Sequence, residues 1–300
     1  MRKTIVLALL VVAAPIAARS SPSAARPAEE SGDHHADGKR LSGGGYAATL
    51  AAHEIRESAR NGSLEKVEFL LGAWPELLDA RDEDGMTPLF LAAAFGHADV
   101  ARMFLDRGAD MHASNRAGAM PFHQAAYSGH RKVVEMFLER GEMVDVRDRD
   151  DRTALHLTAW KDQGEIARLL IMKGARVDAG DNAGGGATPL HYAAALGSTG
   201  VAGHLLEHCA DVGAMAKEGI TPLHLAVFRK QPAMVRLLLA YYAGVMSQDA
   251  KGRTALDLAL RIGEKELAGL IRGHVGESSG SMARRNGPDI CTRRGGGKGP

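Results

Sequence analysis

Cysteine, aromatic residues and excess charge of either sign are scarce in this 300-residue sequence. Its two cysteines cannot build the disulfide framework of a small secreted scaffold. The formal net charge of +1 provides no excess of basic residues for general binding of nucleic acid. Composition therefore argues against a disulfide-built domain and against a nucleic-acid-binding protein.

Catalytic signatures are also lacking. The chain has no Gly-x-x-x-x-Gly-Lys-Ser/Thr loop, and the glycine run at residues 184–186 has no lysine to contact a phosphate. Ser198 follows a glycine turn, but the spacing of the sequence places no base beside it. We expect no enzymatic activity, no cofactor and no metal.

A six-residue motif recurs along the chain, in its fullest form Thr-Pro-Leu-His-Leu-Ala at residues 221–226. Its copies begin at residues 87, 120, 153, 188, 221 and 254, so the steps are 33, 33, 35, 33 and 33. A constant period of this length indicates one structural unit repeated along the chain.

Each copy contains the start of one helix and is followed by a second helix. The threonine hydroxyl can accept from a free N–H at a helix start, and proline suits the first helical position. Glycines such as Gly96 and Gly129 then favour a tight turn, after which an apolar pattern such as Val133, Phe137 and Leu138 indicates a helix with one buried face. Gly108 and its equivalents end the second helix.

The motif and its period resemble those of ankyrin-repeat proteins over roughly residues 48–275. The resemblance implies an all-α fold, an ankyrin-repeat α-solenoid of about seven helix-turn-helix units with short β-turn or hairpin finger loops. The outer two units are charged and atypical, as capping units must be. Departures from the pattern are Phe90 and Asp257 in place of the motif histidine, Met120 in place of threonine, and Cys209 and Tyr242 in place of a helix-ending glycine.

The two ends of the chain differ from the repeats in composition. Residues 1–18 have basic residues, an apolar run and small residues in the order of a secretory signal peptide, with a cleavage site as late as residue 25. We expect a disordered linker over 19–47, an ankyrin-repeat domain over 48–275 and a disordered, basic, glycine-rich tail over 276–300. These features favour an exported bacterial protein, periplasmic or secreted, without stable membrane insertion after cleavage.

Four motif histidines, His123, His156, His191 and His224, could be mistaken for a metal site. One histidine per unit puts neighbours about 10 Å apart, whereas zinc ligands lie about 2 Å from the metal. In ankyrin repeats the equivalent histidine resembles a structural residue that ties adjacent loops by hydrogen bonds. We therefore predict a role in stability.

The residues just before each turn lie on the concave face of an ankyrin-like stack, and four aromatic residues fall in this row although aromatics are 5% of the chain. Aromatic and arginine side chains are the usual anchors of binding surfaces. The alternative is that the rings fill the core. The predicted partner-binding residues are Met86, Phe95, Tyr127, Trp160, Lys161, Phe228 and Arg229.

The resulting prediction is a monomeric, non-enzymatic protein that binds another protein through its concave face and finger loops. The loops carry charges of both signs, including Arg81, Asp84, Arg147 and Arg152, which favours a protein partner over nucleic acid. The alternative function is a regulator or inhibitor, an immunity-like or protective factor, of one exported enzyme.

Overall fold

The computed structural model describes residues 43–280, with side chains over 47–274. The predicted signal peptide, most of the predicted linker and residues 281–300 of the predicted tail lie outside this part of the chain. Helices begin at residue 43 and end at residue 280, outside the predicted limits of 48 and 275. The domain limits themselves stay a prediction. The chain divides between Pro121 and Phe122 into two compact units.

The first unit contains four α-helices, which form two consecutive pairs along the chain. Helix α1 contacts both α2 and α3, and α3 contacts α4. The helices are α1 (Gly43–Asn61), α2 (Leu64–Ala73), α3 (Pro88–Phe95) and α4 (Ala98–Asp106), with a 3₁₀ turn at Pro75–Asp79.

The second unit contains five further pairs, which makes fourteen α-helices and seven pairs in residues 43–280. The pairs are α5 (Pro121–Ser128) with α6 (Arg131–Glu139), α7 (Ala154–Leu157) with α8 (Gly164–Met172), α9 (Pro189–Leu196) with α10 (Thr199–Glu207), α11 (Pro222–Phe228) with α12 (Pro232–Ala240), and α13 (Ala255–Arg261) with α14 (Lys265–Gly280).

Two layers of helices enclose the core of the second unit. In the first layer, α7, α9, α11 and α13 contact one another in sequence. In the second layer, α6, α8, α10, α12 and α14 do the same. The short first helices are apolar almost all round, as in α9, where seven of eight residues are buried. A helix of this kind is stable only between neighbours. The predicted all-α repeat fold is thus confirmed.

The helices begin and end where the motif predicts. The hydroxyl of Thr221 accepts from the backbone N–H of His224 at the start of α11. Left-handed backbone closes the helices at glycines such as Gly197, with φ 76°. Cys209 and Tyr242 take φ 68° and 62° where glycine is expected, so the turn forms despite the strain on a residue with a Cβ.

One first helix departs from the regular pattern. Helix α7 has only four residues and continues as a 3₁₀ helix at Thr158–Lys161. The hydroxyl of Thr158 donates to the carbonyl of Leu155 at 2.7 Å, a side-chain bond that competes with the regular helical pattern. Asp162, with φ 49°, then ends the segment in the position of the usual glycine.

The finger loops are turns held by an Asp or Asn side chain. In most of them this side chain accepts from the N–H groups two and four residues later, as Asp82 does from Asp84 and Met86 at 2.9 and 2.7 Å. The equivalents are Asn115, Asp148 and Asp249. In the described residues the loops form no strand, only an isolated bridge between Arg147 and Thr153.

The longer loop before Thr188 is built in the same way. Asp181 accepts from the N–H groups of Gly184 and Ala187, both at 2.9 Å, three and six residues later. The added residues include Gly185 and Gly186, with φ 65° and 90°. The 35-residue step therefore lengthens a loop and leaves the helix pairs unchanged.

The loop at 216–220 lacks this side-chain acceptor, since Ala216 stands where the others have Asp or Asn. Its Glu218 is left-handed, with φ 61°. We expect Ala216→Asp to stabilise the protein by about 1 kcal/mol. The carboxylate can accept from the N–H groups of Glu218 and Ile220, of which the second now makes only a long bond of 3.4 Å to the Lys217 carbonyl, and Glu218 can return to right-handed backbone. The urea midpoint measures the gain.

Asp249→Ala is the matched reverse change and should lower the same midpoint. A midpoint that is unchanged or lower in Ala216→Asp would show that the loop at 216–220 cannot adopt the turn of its neighbours.

Candidate binding surface

The four motif histidines form structural hydrogen bonds within the second unit. Their Nε2–H groups donate to backbone carbonyls of the next loop, at 3.0 to 3.1 Å. His191, for example, donates to the carbonyl of Ile220. Because a carbonyl can only accept, Nδ1 carries the lone pair and accepts from the N–H of Thr188 at 3.1 Å. The predicted role in tying adjacent loops is confirmed.

His123 is the exception, because only one of its two ring nitrogens has a hydrogen-bond partner. Its Nε2 donates to the carbonyl of Val146, but its buried Nδ1 has no hydrogen-bond partner among the described residues. The residue three positions before it is Met120 in place of threonine, which has no hydroxyl to offer. A single substitution in the motif thus leaves one buried polar atom unsatisfied.

Burial lowers the pKa of all four histidines, and it lowers that of His156 and His191 to about 4. Their rings are therefore neutral at pH 7. Both nitrogens of His156, His191 and His224 are occupied by protein groups, so no lone pair is available to a metal. Within residues 43–280, no group of three or more His, Cys, Asp or Glu side chains could hold a metal ion.

Two serine positions bear on possible catalysis. The hydroxyl of Ser198 is buried and donates to the carbonyl of Ala159, so it holds the next helix pair in place. The run Gly276-Glu277-Ser278-Ser279-Gly280 fits the Gly-x-Ser-x-Gly spacing of a hydrolase nucleophile. It lies in α14, whereas that nucleophile needs a sharp turn from a strand into a helix.

Cys209 and Cys291 could pair if the protein is exported. Cys209 follows helix α10 at the left-handed position described above. Cys291 lies outside the described residues.

Four of the predicted contact residues lie in the second unit at the ends of two first-layer helices. Trp160 and Phe228 are half-buried, and Lys161 and Arg229 are exposed. The Trp160 ring lies 5.1 Å from that of Tyr192, and the Arg152 guanidinium carbon lies 5.7 Å from its centroid. One side of the indole thus packs on the protein while part of it remains in water.

Tyr127 is more buried than its neighbours in the row. Its side chain is 5% exposed, and the Lys161 ammonium lies 4.6 Å from the ring centroid. Burial also raises the pKa of its hydroxyl above the ordinary value. In this structure Lys161 covers the ring, so a partner would meet the lysine; contact of Tyr127 itself stays a prediction.

The two remaining predicted residues lie in the first unit. Phe95 is 46% exposed, and the Arg60 guanidinium carbon lies 5.0 Å from its ring centroid. Met86 is half-buried, and with Phe95 it lines a cavity of about 180 Å³ beside α1. Phe95 therefore keeps apolar surface in water, and its contact with a partner stays a prediction.

Several finger-loop charges hold the loops themselves. Arg152 is 5% exposed and pairs with Asp148 at 2.8 Å. Arg147 donates to the carbonyl of Gly180 in the next loop at 2.8 Å, and Arg81 makes the same bond to Ser114 in the first unit. The sequence predicts these arginines as loop charges that meet a partner. The structure shows that Arg147 and Arg81 bond backbone carbonyls and that Arg152 bonds the Asp148 carboxylate. An Asp or Asn recurs at a period of 33 residues in these loops, at residues 82, 115 and 148. This pattern is the sequence signal that indicates rigid loops.

Helix pairs that recur at a period of 33 to 35 residues and are tied to the next loop by histidines define a repeat protein. A model described as "Ankyrin repeats (3 copies)" matches residues 55–150, 122–216 and 190–277. The chain belongs to the ankyrin-repeat family. Domains of this family are typically non-enzymatic modules that bind other proteins.

Solved structures and curated proteins agree with this assignment. The ankyrin repeat domain of Bcl-3, titled a unique member of the IkappaB protein family, superposes with a TM-score of 0.62 at 27% identity, over 73% of this chain and 98% of that one. The human ASB11 ankyrin repeat domain gives a TM-score of 0.65 at 24% identity, over 73% and 96%, and shows the fold alone.

Curated relatives match shorter segments. Human DNA-binding protein RFXANK is 38% identical over 65 residues, which are 22% of this chain and 25% of that protein. Mouse protein phosphatase 1 regulatory subunit 27 is 37% identical over 73 residues, which are 24% and 46%. The chain thus spans between a quarter and a half of these relatives.

The buried histidines predict acid sensitivity. For His156 and His191 the pKa falls from 6.5 to about 4 on folding, so the unfolded chain binds more protons between these values. The free energy of unfolding therefore falls as the pH drops through this window, by about 2 kcal/mol per histidine at pH 5. Urea unfolding at pH 7 and pH 5 measures the loss.

His191→Gln is the control, since its amide can still donate to the Ile220 carbonyl but does not titrate. It should lower stability at pH 7 and reduce the difference between the two pH values. Equal pH dependence in both proteins, or a midpoint that EDTA shifts, would contradict the structural role of these histidines.

Proposed function

We propose that this protein is an exported, non-enzymatic ankyrin-repeat protein that binds a partner protein through the ends of its first-layer helices and its finger loops. The observation that carries the proposal is that three of the four aromatic rings in the row lie beside a cation. The pairs are Arg60 with Phe95, Lys161 with Tyr127 and Arg152 with Trp160. Packing alone does not require such pairs, whereas binding surfaces use both residue types.

The fixed geometry of the loops supports the same proposal. Backbone bonds join consecutive fingers, from Arg116 N to Asp84 O at 2.8 Å in the first unit and from Asn182 N to Asp150 O at 3.2 Å in the second. Loops that are ordered before binding lose little conformational entropy when a partner docks.

A second candidate is regulation or inhibition of one enzyme. The name of the mouse relative, protein phosphatase 1 regulatory subunit 27, supports a regulatory role for this kind of repeat. On this proposal the partner is an exported enzyme whose activity changes when the repeats bind it, as in an immunity-like or protective factor.

Localisation rests on residues 1–18, which have the composition of a signal peptide. We infer export, with the bacterial periplasm as the favoured compartment. Across residues 43–280, no helix has the length and apolarity needed to cross a membrane.

Partner binding by the predicted contact row can be tested by capturing a partner protein from an exported fraction of the source cells. A Trp160→Ala, Phe228→Ala double variant should bind the captured partner about tenfold or more weakly, because half-buried aromatic anchors dominate interfaces. The affinity is measured by calorimetry with purified partner, and helical content by circular dichroism. Tyr127 is left unchanged because truncating a buried ring would reduce stability.

The matched control is Met143→Ala with Met172→Ala, two large apolar residues outside the row that are 69% and 68% exposed. It should bind as tightly as the original protein. Equal affinity in all three proteins would contradict the row as the binding surface. A change in the partner's enzymatic activity on binding would favour the regulatory candidate.

Export can be tested independently. Expression of the full chain in a bacterial host should yield periplasmic protein with a new N-terminus after Ala18 or Ala25, detected by intact mass. A charged Leu9→Arg, Leu10→Arg variant should stay uncleaved in the cytoplasm, because charge disrupts the apolar run. An uncleaved original protein in the cytoplasm would contradict export.

A further inference from the structure

A cavity of about 180 Å³ opens between α11 and α13 in the second unit. Its apolar lining includes Phe228, Leu258 and Ile262. Phe228 belongs to the predicted contact row, so the cavity lies at the proposed binding surface. This volume is below the roughly 300 Å³ at which pockets begin to hold drug-sized ligands, so we consider a single apolar side chain as the occupant.

The polar lining of the cavity consists of three basic residues, of which two are already engaged. His224 donates to the Arg253 carbonyl and accepts from Thr221. The Arg253 guanidinium donates to Asp249 at 2.8 Å. His224 therefore has no free ring nitrogen, and the charge of Arg253 is balanced by that of Asp249.

Arg261, the last residue of α13, is the remaining charge at the cavity. Its side chain is exposed, and no described carboxylate pairs with it. None of the described residues lining this cavity is acidic. Among the described lining residues, Arg261 is therefore the cation whose charge is not balanced by a carboxylate. This charge favours an anionic group next to the side chain that fills the cavity.

We propose that this cavity binds a partner segment in which an apolar side chain such as leucine stands directly beside a glutamate or aspartate. The apolar side chain packs against Phe228 and Ile262, and the carboxylate accepts from the Arg261 guanidinium. Arginine suits this role because its planar group can hold a carboxylate by two parallel bonds. This inference rests on the proposed function and specifies the partner's chemistry.

The test uses the full chain and two synthetic peptides, acetyl-Ala-Leu-Glu-Ala-amide and acetyl-Ala-Leu-Gln-Ala-amide, which differ only in charge. Amide chemical shifts of residues 228 and 262 report binding. We expect saturable shifts with the Leu-Glu peptide and an affinity about three- to fivefold higher than for the Leu-Gln peptide, as for an exposed ion pair. Acetyl-Ala-Ala-Glu-Ala-amide should not saturate, because it cannot fill the cavity.

Arg261→Gln should remove the preference for the Leu-Glu peptide and keep the shifts from the leucine side chain. Arg272→Gln, the same change at an exposed arginine of α14, is the matched control and should keep the preference. Equal affinities of the two leucine peptides for the original protein, or a preference that persists in Arg261→Gln, would overturn the proposal. Lack of saturation with either leucine peptide would do so as well.

This test is independent of the partner capture. Preference for the Leu-Glu peptide without any captured partner supports the cavity and counts against the proposed function. A captured partner that depends on Trp160 and Phe228, together with equal affinities for the two leucine peptides, supports the function and rejects the cavity.

Discussion

The structure depends on the hydrogen bonds that four of the helix pairs make, through their motif histidines, to the loop of the next pair. A histidine at the start of one first-layer helix lies fully buried, and its Nε2–H donates to a carbonyl up to 31 residues later in the chain. The bond forms only when the next repeat is in place. Stability is therefore a property of neighbouring repeats, and no pair can bury its apolar face alone.

The same requirement explains why several polar side chains of the repeats are not available for chemistry. The four motif histidines are buried, neutral and engaged on both nitrogens, except for Nδ1 of His123. Ser198 and Arg152 are likewise used internally. The helix ends, by contrast, carry the half-buried rings of Trp160 and Phe228 and the exposed cations Lys161 and Arg229, beside turns whose backbone is held by Asp and Asn side chains.

A repeat core held by internal hydrogen bonds, with other residues presented at the helix ends, suits recognition of a partner. The loops are fixed by short-range acceptors such as Asp82 and Asp249, so the residues between them keep their positions before a partner arrives. Variation at the helix ends changes the surface without affecting the repeat core. The cavity beside Arg261 is an example, because Phe228 and Arg261 lie at the final turns of α11 and α13.

The sequence by itself determined the repeat, the seven helix pairs, most helix limits and the structural role of the histidines, because these follow from a local motif repeated at a near-constant period. It also located the two-residue expansion before Thr188. Only the structure showed that Tyr127 is covered by Lys161, that Arg152 is buried beside Asp148, and that α7 continues as a 3₁₀ helix. These outcomes depend on contacts between side chains far apart in the sequence or on competing local bonds, and periodicity carries no information about either.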